Sequence, residues 1–193
     1  DLYRVVLSSY GGTIKEWQLK RYTAPNAKGV EQPIQLVPLV SAESPLAITL
    51  PEDPSFQNQS YAFDVATLQL NKNSPTGKVV MTAALPDGRS ITKELVFHND
   101  QYQADITIHA DGFKNGYRLL MGSNFGITDW ENTMGGKAGP ISMIDGKVVS
   151  ERPEQTTVTY ETGATWFGLN DKYFMSVLMP HPDKIDSAVM PNG

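Results

Sequence analysis

The sequence predicts an all-β fold, a sandwich of antiparallel sheets, and three features carry that prediction. Apolar residues recur with period two rather than 3.6, turn residues sit where the alternating runs end, and no amphipathic stretch is long enough to read as a helix. Alternation of this kind lays one side of a strand on a core and leaves the other in water.

Leu2 to Ser8 reads as the first strand, Gly11-Gly12 as a turn, and Thr13 to Leu19 as the return strand. Glycine suits that turn because it takes positive φ angles that other residues resist. Thr23 to Gln32 and Pro51 to Ser60 are rich in Pro, Asn, Gln and Gly and read as surface loops. Leu46 to Leu50 and Tyr61 to Leu70 are shorter strand candidates.

A three-strand meander follows. Lys78 to Leu85 turns through Pro86-Asp87-Gly88 into Ser90 to His98. In that second strand Ile91, Lys93, Leu95 and Phe97 alternate with Thr92, Glu94, Val96 and His98. Asn99-Asp100 then leads into Tyr102 to His109, where Tyr102, Ala104, Ile106 and Ile108 oppose Gln103, Asp105, Thr107 and His109.

Beyond the meander, Asn124 to Pro140 carries Gly126, Gly135, Gly136 and Gly139 and reads as a long irregular connection. Ile141 to Ile144 and Lys147 to Ser150 flank Asp145-Gly146, a strong hairpin signal. Thr156 to Thr162 and Lys172 to Met179 are the last predicted strands. No repeat or linker divides the chain, so one domain over residues 1–193 is expected. It begins inside a strand and ends in a turn-like Pro191-Asn192-Gly193, as an excised piece would.

Composition narrows the function. Sixteen Lys and Arg against 21 Asp and Glu give a formal net charge of −5. Nucleic-acid binding calls for clustered cations, whereas Lys15, Lys20 and Arg21 are mixed with apolar residues as on a solvated strand face. The absence of cysteine excludes thiol chemistry, thiolate metal sites and disulfides. No run approaches the ~20 apolar residues of a membrane-spanning helix. A chain of this length buries roughly 70% of its unfolded surface, so neither a metal nor a disulfide is needed to hold it.

The candidates for chemistry are sparse. His98 and His109 end adjacent strands on their polar sides, which makes them possible neighbours and a possible metal pair. His181, in Met179-Pro180-His181-Pro182, is either a general base or part of a rigid exit from the last strand. Gly122-Ser123-Asn124 is not a nucleophile elbow, and Gly135-Gly136-Lys137-Ala138-Gly139 lacks the spacing of a phosphate loop. Asp129, Glu131 and Asp171 lie near Trp130 and Trp166 in sequence, an acid–aromatic mixture also found in sugar-binding clefts. The residues by themselves imply no catalytic set, cofactor or metal.

Two segments resemble a known family. One is Leu2 to Tyr22, with its strand, Gly11-Gly12 turn and Leu-Lys-x-Tyr ending. The other is Gly163 to Pro180, where Gly163 and Trp166 precede Tyr173-Phe174 and Pro180 closes the strand. Together with the Pro86-Asp87-Gly88 meander they resemble, in order and spacing, the first periplasmic domain of YidC membrane protein insertases. Gly11, Gly12, Trp166, Tyr173, Phe174 and Pro180 are the motif positions, and each reads first as structural. Alternation sends Tyr173 and Phe174 to opposite sheet faces, one to a core and one to a surface or groove.

The resemblance implies a twisted antiparallel β-supersandwich like that of sugar mutarotases, with few short helices. It implies a place on the periplasmic side of the bacterial inner membrane, between membrane spans absent from this chain. A C-terminal helical connection would also be missing. It implies an accessory role in inserting and folding inner-membrane proteins, alone or with the Sec translocon and SecDF-YajC. No reaction and no cofactor are implied, and the isolated domain is expected to be a monomer. The competing reading is a carbohydrate-binding or mutarotase-like sandwich, which requires a His and a carboxylate converging in an aromatic-lined groove. A plain adhesion module is a third, marked by an exposed apolar patch without a cleft.

Overall fold

The computed structural model describes residues 2–26, 28–37, 43–123, 125, 138–150, 158–160, 163–181 and 188–190. They belong to two compact units, residues 1–123 and 124–193. Among the described residues the regular structure is antiparallel strand, with one short 3-10 helix.

The first unit opens with β1 (Tyr3–Ser8), β2 (Thr13–Pro25) and β3 (Glu31–Gln35), paired in that order. Gly11 and Gly12 make the first reversal at φ +71° and +57°. Register slips between Leu19 and Thr23, so that Leu19 faces Ile34 while Thr23 faces Pro33. The reading of Thr23 to Gln32 as a loop needs correction. Strands β2 and β3 run on as exposed arms to a tip at Asn26, whose side chain accepts from the Lys28 and Val30 amides. The arms bury almost nothing, so they carry no alternation for a sequence reading to find.

The meander forms as expected: β6 (Thr76–Ala84), β7 (Ser90–His98) and β8 (Ala104–Asp111) pair in sequence, and β5 (Ala62–Phe63) extends them at the β6 side. Along β7 every second residue is buried, namely Ile91, Lys93, Leu95 and Phe97. Leu95 pairs with Val79 and Ile106, and Lys93 with Met81 and Ile108. The buried side receives the first sheet, with the Tyr3 and Trp17 rings each 6.4 Å from Phe97. Burial of Trp17, Leu19, Ile91, Leu95 and Phe97 contributes about 1.5–3 kcal/mol per large apolar side chain. The opposite side is polar and carries a Lys78–Glu94 ion pair of 3.1 Å and a Thr82–Thr92 hydroxyl pair.

Two short strands, β4 (Ile48–Thr49) and β9 (Arg118–Leu119), complete the unit. Between β4 and β5 the expected loop Pro51 to Ser60 contains the 3-10 helix Pro54–Asn58. The Asp53 side chain accepts from the Ser55 amide at its start, and Phe56 is wholly buried. A polar-looking loop thus delivers a core residue.

In the second unit β10 (Gly139–Ile144), β11 (Lys147–Ser150), β13 (Ala164–Asn170) and β14 (Met175–Leu178) form a sheet of order β11-β10-β13-β14. Strands β12 (Val158–Tyr160) and β15 (Ala188–Met190) pair separately. Asp145 and Gly146 make the expected hairpin turn, both at positive φ. The strand expected over Lys172 to Met179 starts later, at Met175. Asp171 accepts from the amides of Tyr173 (2.7 Å) and Phe174 (2.6 Å), bending residues 171–174 into a tight turn. The strand before it, β13, carries no sequence signal, because Phe167, Gly168 and Leu169 are buried in succession and show no alternation.

Candidate functional site

Two places stand apart from an ordinary β core. The first is one face of the β11-β10-β13-β14 sheet. Register sets Met143 beside Val148 on one side and Trp166 on the other, and Ile141 beside Ser150 and Gly168. Gly168 in turn pairs with Val177, and Asn170 with Met175. Paired residues share a face, so Ile141, Met143, Val148, Trp166, Met175 and Val177 lie on one side without a charged residue among them. The other side holds Ser142, Phe167, Leu169 and Ser176, all buried.

The first side is exposed in part: Ile141, Met143, Trp166 and Val177 are half-buried and Gly168 is buried, but three residues stand clear. Val148 is 59% exposed, Met175 53% and Met179, just past β14, 64%. Gly168 keeps the surface low at its centre: a Cβ there would lie 2.6 Å from the Ser176 carbonyl oxygen. At the adjoining turn Tyr173 is 72% exposed, with the Lys172 ammonium 5.1 Å from its ring centre, while Phe174 is half-buried. Strand alternation is not what separates the two rings; the Asp171 turn does it. Pro180 follows β14 half-buried, and His181 is exposed. Methionines on an uncharged, partly exposed face give an adaptable apolar surface.

The second place is the corner around Lys93, which no motif marked. Its side chain is wholly buried among apolar residues of β7. The ammonium Nζ donates to the carbonyl oxygens of Gly11 (2.8 Å), Gly12 (2.9 Å) and Leu46 (2.7 Å). It also lies 4.4 Å from the centre of the Tyr61 ring. Burial pushes its pKa down to about 7, and the same burial raises that of the Tyr61 hydroxyl. Gly11 and Gly12 are therefore more than a turn: a Cβ on Gly12 would lie 2.9 Å from the Tyr61 ring, and one on Gly11 2.7 Å from the Gln57 carbonyl oxygen. The sequence held one clue, a lysine in phase with Ile91, Leu95 and Phe97.

The histidines do not converge. His109 pairs with Thr92, at the far end of the β7–β8 hairpin from His98, and six residues of strand put about 20 Å between them. The antiparallel register rules out the proximity that the sequence left open. His98 Nε2 instead lies 2.9 Å from Asp105 Oδ2, while Gln103 donates to Oδ1. The hydrogen bond from His98, then that from Gln103, lowers the Asp105 pKa. An imidazole and a carboxylate are thus adjacent, but on the polar side of the hairpin. The aromatic cluster of Trp17, Phe97 and Tyr102 gathers around Tyr3, and the Phe97 side chain projects to the opposite side of β7.

A shallow hollow of about 290 Å³ is lined by Thr49, Leu50, Pro51, Pro54, Gln57 and Arg118, with no carboxylate or imidazole. Asp171 caps its turn. Asp129, Trp130 and Glu131 lie outside the described residues, as do Asn124 and most of the Gly135–Gly139 run. Among the described residues no three His, Cys, Asp or Glu side chains gather as a metal site, and no helix is long and apolar enough to cross a membrane.

Comparison with known proteins gives one consistent match. The family model for the YidC periplasmic domain covers residues 1–192. A membrane protein insertase YidC from Oleidesulfovibrio alaskensis is 24% identical over 191 residues, 93% of this chain and 34% of that protein. Another from Syntrophus aciditrophicus is 24% identical over 195 residues, 96% of this chain and 36% of that protein. A third, from Nitratidesulfovibrio vulgaris, is 29% identical over 112 residues, 56% of this chain and 20% of that protein. The chain spans about a third of the length of the first two.

Proposed function

The chain belongs to the YidC periplasmic domain family, and from that premise we propose that it is a non-enzymatic interaction body serving an insertase at the periplasmic face of the inner membrane. Its task is to receive apolar, extended segments of inner-membrane proteins, or a Sec partner such as SecDF-YajC, on the partly exposed apolar face of the β11-β10-β13-β14 sheet.

The observation that supports this most is the run of Ile141, Met143, Val148, Trp166, Met175 and Val177 along one uncharged side. An extended chain repeats its side chains every two residues and matches such rows, and flexible methionines tolerate varied apolar partners. Strand β14 adds a second element, because among the described residues it pairs only with β13 and offers a free edge. The sugar-active alternative gains little, since His98 and Asp105 do not share a side with the aromatic cluster.

The test places a photo-crosslinking residue at Met175 or Val148 of the intact insertase during insertion of a client, with Thr107 on the polar side of β8 as the control. Adducts to the client or to a Sec component at the first two positions, well above those at Thr107, are expected. Equal yields at all three would overturn the proposal.

A further inference from the structure

The corner around Lys93 holds a cation with no counter-charge among the described residues. Its ammonium is wholly buried and contacts three carbonyl oxygens and one ring. Three acceptors within 2.9 Å suit an ammonium, which has three N–H donors; a neutral amine has two. Carbonyl dipoles replace only part of the hydration that a buried ion gives up. No element packed against Lys93 supplies an opposite charge among the described residues. Strand β6 brings Met81, β8 brings Ile108, and the two covering turns bring Gly11, Gly12 and Leu46. Among the described residues Tyr61 is the one titratable side chain that meets Lys93. Its hydroxyl is buried without a hydrogen-bond partner among the described residues and stays neutral.

The cover over this charge is the strained part of the corner. Gly11, Gly12 and Leu46 all lie at positive φ, and Leu46, at +69°, bears a side chain there. A left-handed non-glycine residue costs about 1–3 kcal/mol and persists only where its surroundings hold it. What holds this cover is turn bonding rather than a ladder: Gly11 N–H to Gln59, Ile14 N–H to Pro45, Leu46 N–H to Leu120, Leu120 N–H to Ala47, Tyr61 N–H to Ser9, and the Thr13 hydroxyl donating to the Tyr10 carbonyl. The floor, by contrast, is the continuous β6–β7–β8 ladder.

We propose that this corner is a proton-sensitive opening point: with Lys93 protonated, the Gly11–Gly12 and Leu46 turns lift more readily and let water reach the ammonium. With the amine neutral the cost of burial is gone and the cover stays shut. The depressed pKa of Lys93, about 7, places the change in an accessible range. A lifted cover hydrates Lys93 and restores its ordinary affinity for the proton, so proton uptake and opening favour each other.

Amide hydrogen exchange on the 193-residue chain between pH 7 and 9, corrected for the intrinsic pH dependence of exchange, tests this. The amides of Gly11, Ile14, Leu46 and Tyr61 are expected to open more often than those of Val79 and Leu95 in the ladder. Their opening constant is expected to fall about tenfold per pH unit as pH rises, and Lys93→Met is expected to abolish that dependence. Exchange of the four cover amides only at ladder rates, or a pH-independent opening constant, overturns the proposal. If Lys93→Met does not fold, the side-chain NMR signal of Lys93 in the unaltered chain decides. A midpoint near 7 is expected, and a signal flat to pH 10 overturns the proposal.

Discussion

Replacing Gly12 by alanine probes the first reversal more sharply than any other single change. Two costs add at that position. The backbone sits at φ +57°, where an L-residue pays about 1–2 kcal/mol. The new methyl would also lie 2.9–3.0 Å from three atoms of the Tyr61 ring. That ring cannot retreat freely: it is buried, meets Phe56 edge-on at 6.5 Å, and lies 4.4 Å from the Lys93 ammonium. Overpacking of this kind costs typically about 1–3 kcal/mol, so the expected total is about 2–5 kcal/mol. Gly88→Ala is the internal control. Gly88 has φ +88° but nothing within 4 Å of a Cβ, so it bears the backbone cost alone. Urea unfolding followed on the NMR signals of the β6–β7 amides should show Gly12→Ala at least about 1 kcal/mol less stable than Gly88→Ala. If the two variants unfold together, the packing of Tyr61 against this turn does not constrain it, and the account of the corner is wrong.

Three further outcomes are expected. Phe56→Ala, which empties a fully buried site in the 3-10 helix, should cost about 3–5 kcal/mol in the same unfolding assay, far above a loop substitution. Lys93→Met should change the pH dependence of stability. The unfolded chain keeps this proton up to about pH 10.5 while the folded chain sheds it above about 7, so the unaltered chain gains on the variant as pH rises through that window. The gain is roughly 1.4 kcal/mol per pH unit, with none below pH 7, and urea titrations at pH 6, 7, 8 and 9 measure it. Asp171→Ala removes the acceptor of the Tyr173 and Phe174 amides and should cost about 1 kcal/mol. It should also lower the exchange protection of the β14 amides while leaving the β6–β7 ladder unchanged.

Much of the fold was legible because one side of each meander strand is wet. In β7 the alternation of Ile91, Lys93, Leu95 and Phe97 with polar partners is the burial pattern itself, and Pro86-Asp87-Gly88 and Asp145-Gly146 turn where turn chemistry requires. What was not legible follows from the same rule. Strand β13 hides Phe167, Gly168 and Leu169 in succession, and the β2–β3 arms hide almost nothing, so neither alternates. Lys172 to Phe174 read as strand because their type suits one, yet the Asp171 side chain captures their amides locally. The separation of His98 from His109 depends on which ends of the strands are joined. The lysine corner was the least visible, since its partners are backbone carbonyls that any residue would supply. The apolar face came half into view through Trp166 and Tyr173, while Val148, Met175 and Met179 needed the register.

Edge strands β3 and β14 differ in a way that bears on how concentrated solutions of the chain behave. On β3, Pro33 deletes an amide donor and Glu31 adds charge, devices that discourage one molecule from growing onto the next. Strand β14, Met-Ser-Val-Leu, has neither proline nor charge. Fibre growth or precipitation at high concentration would therefore start more readily from β14 than from β3. An unguarded edge carries the hazard of self-templating.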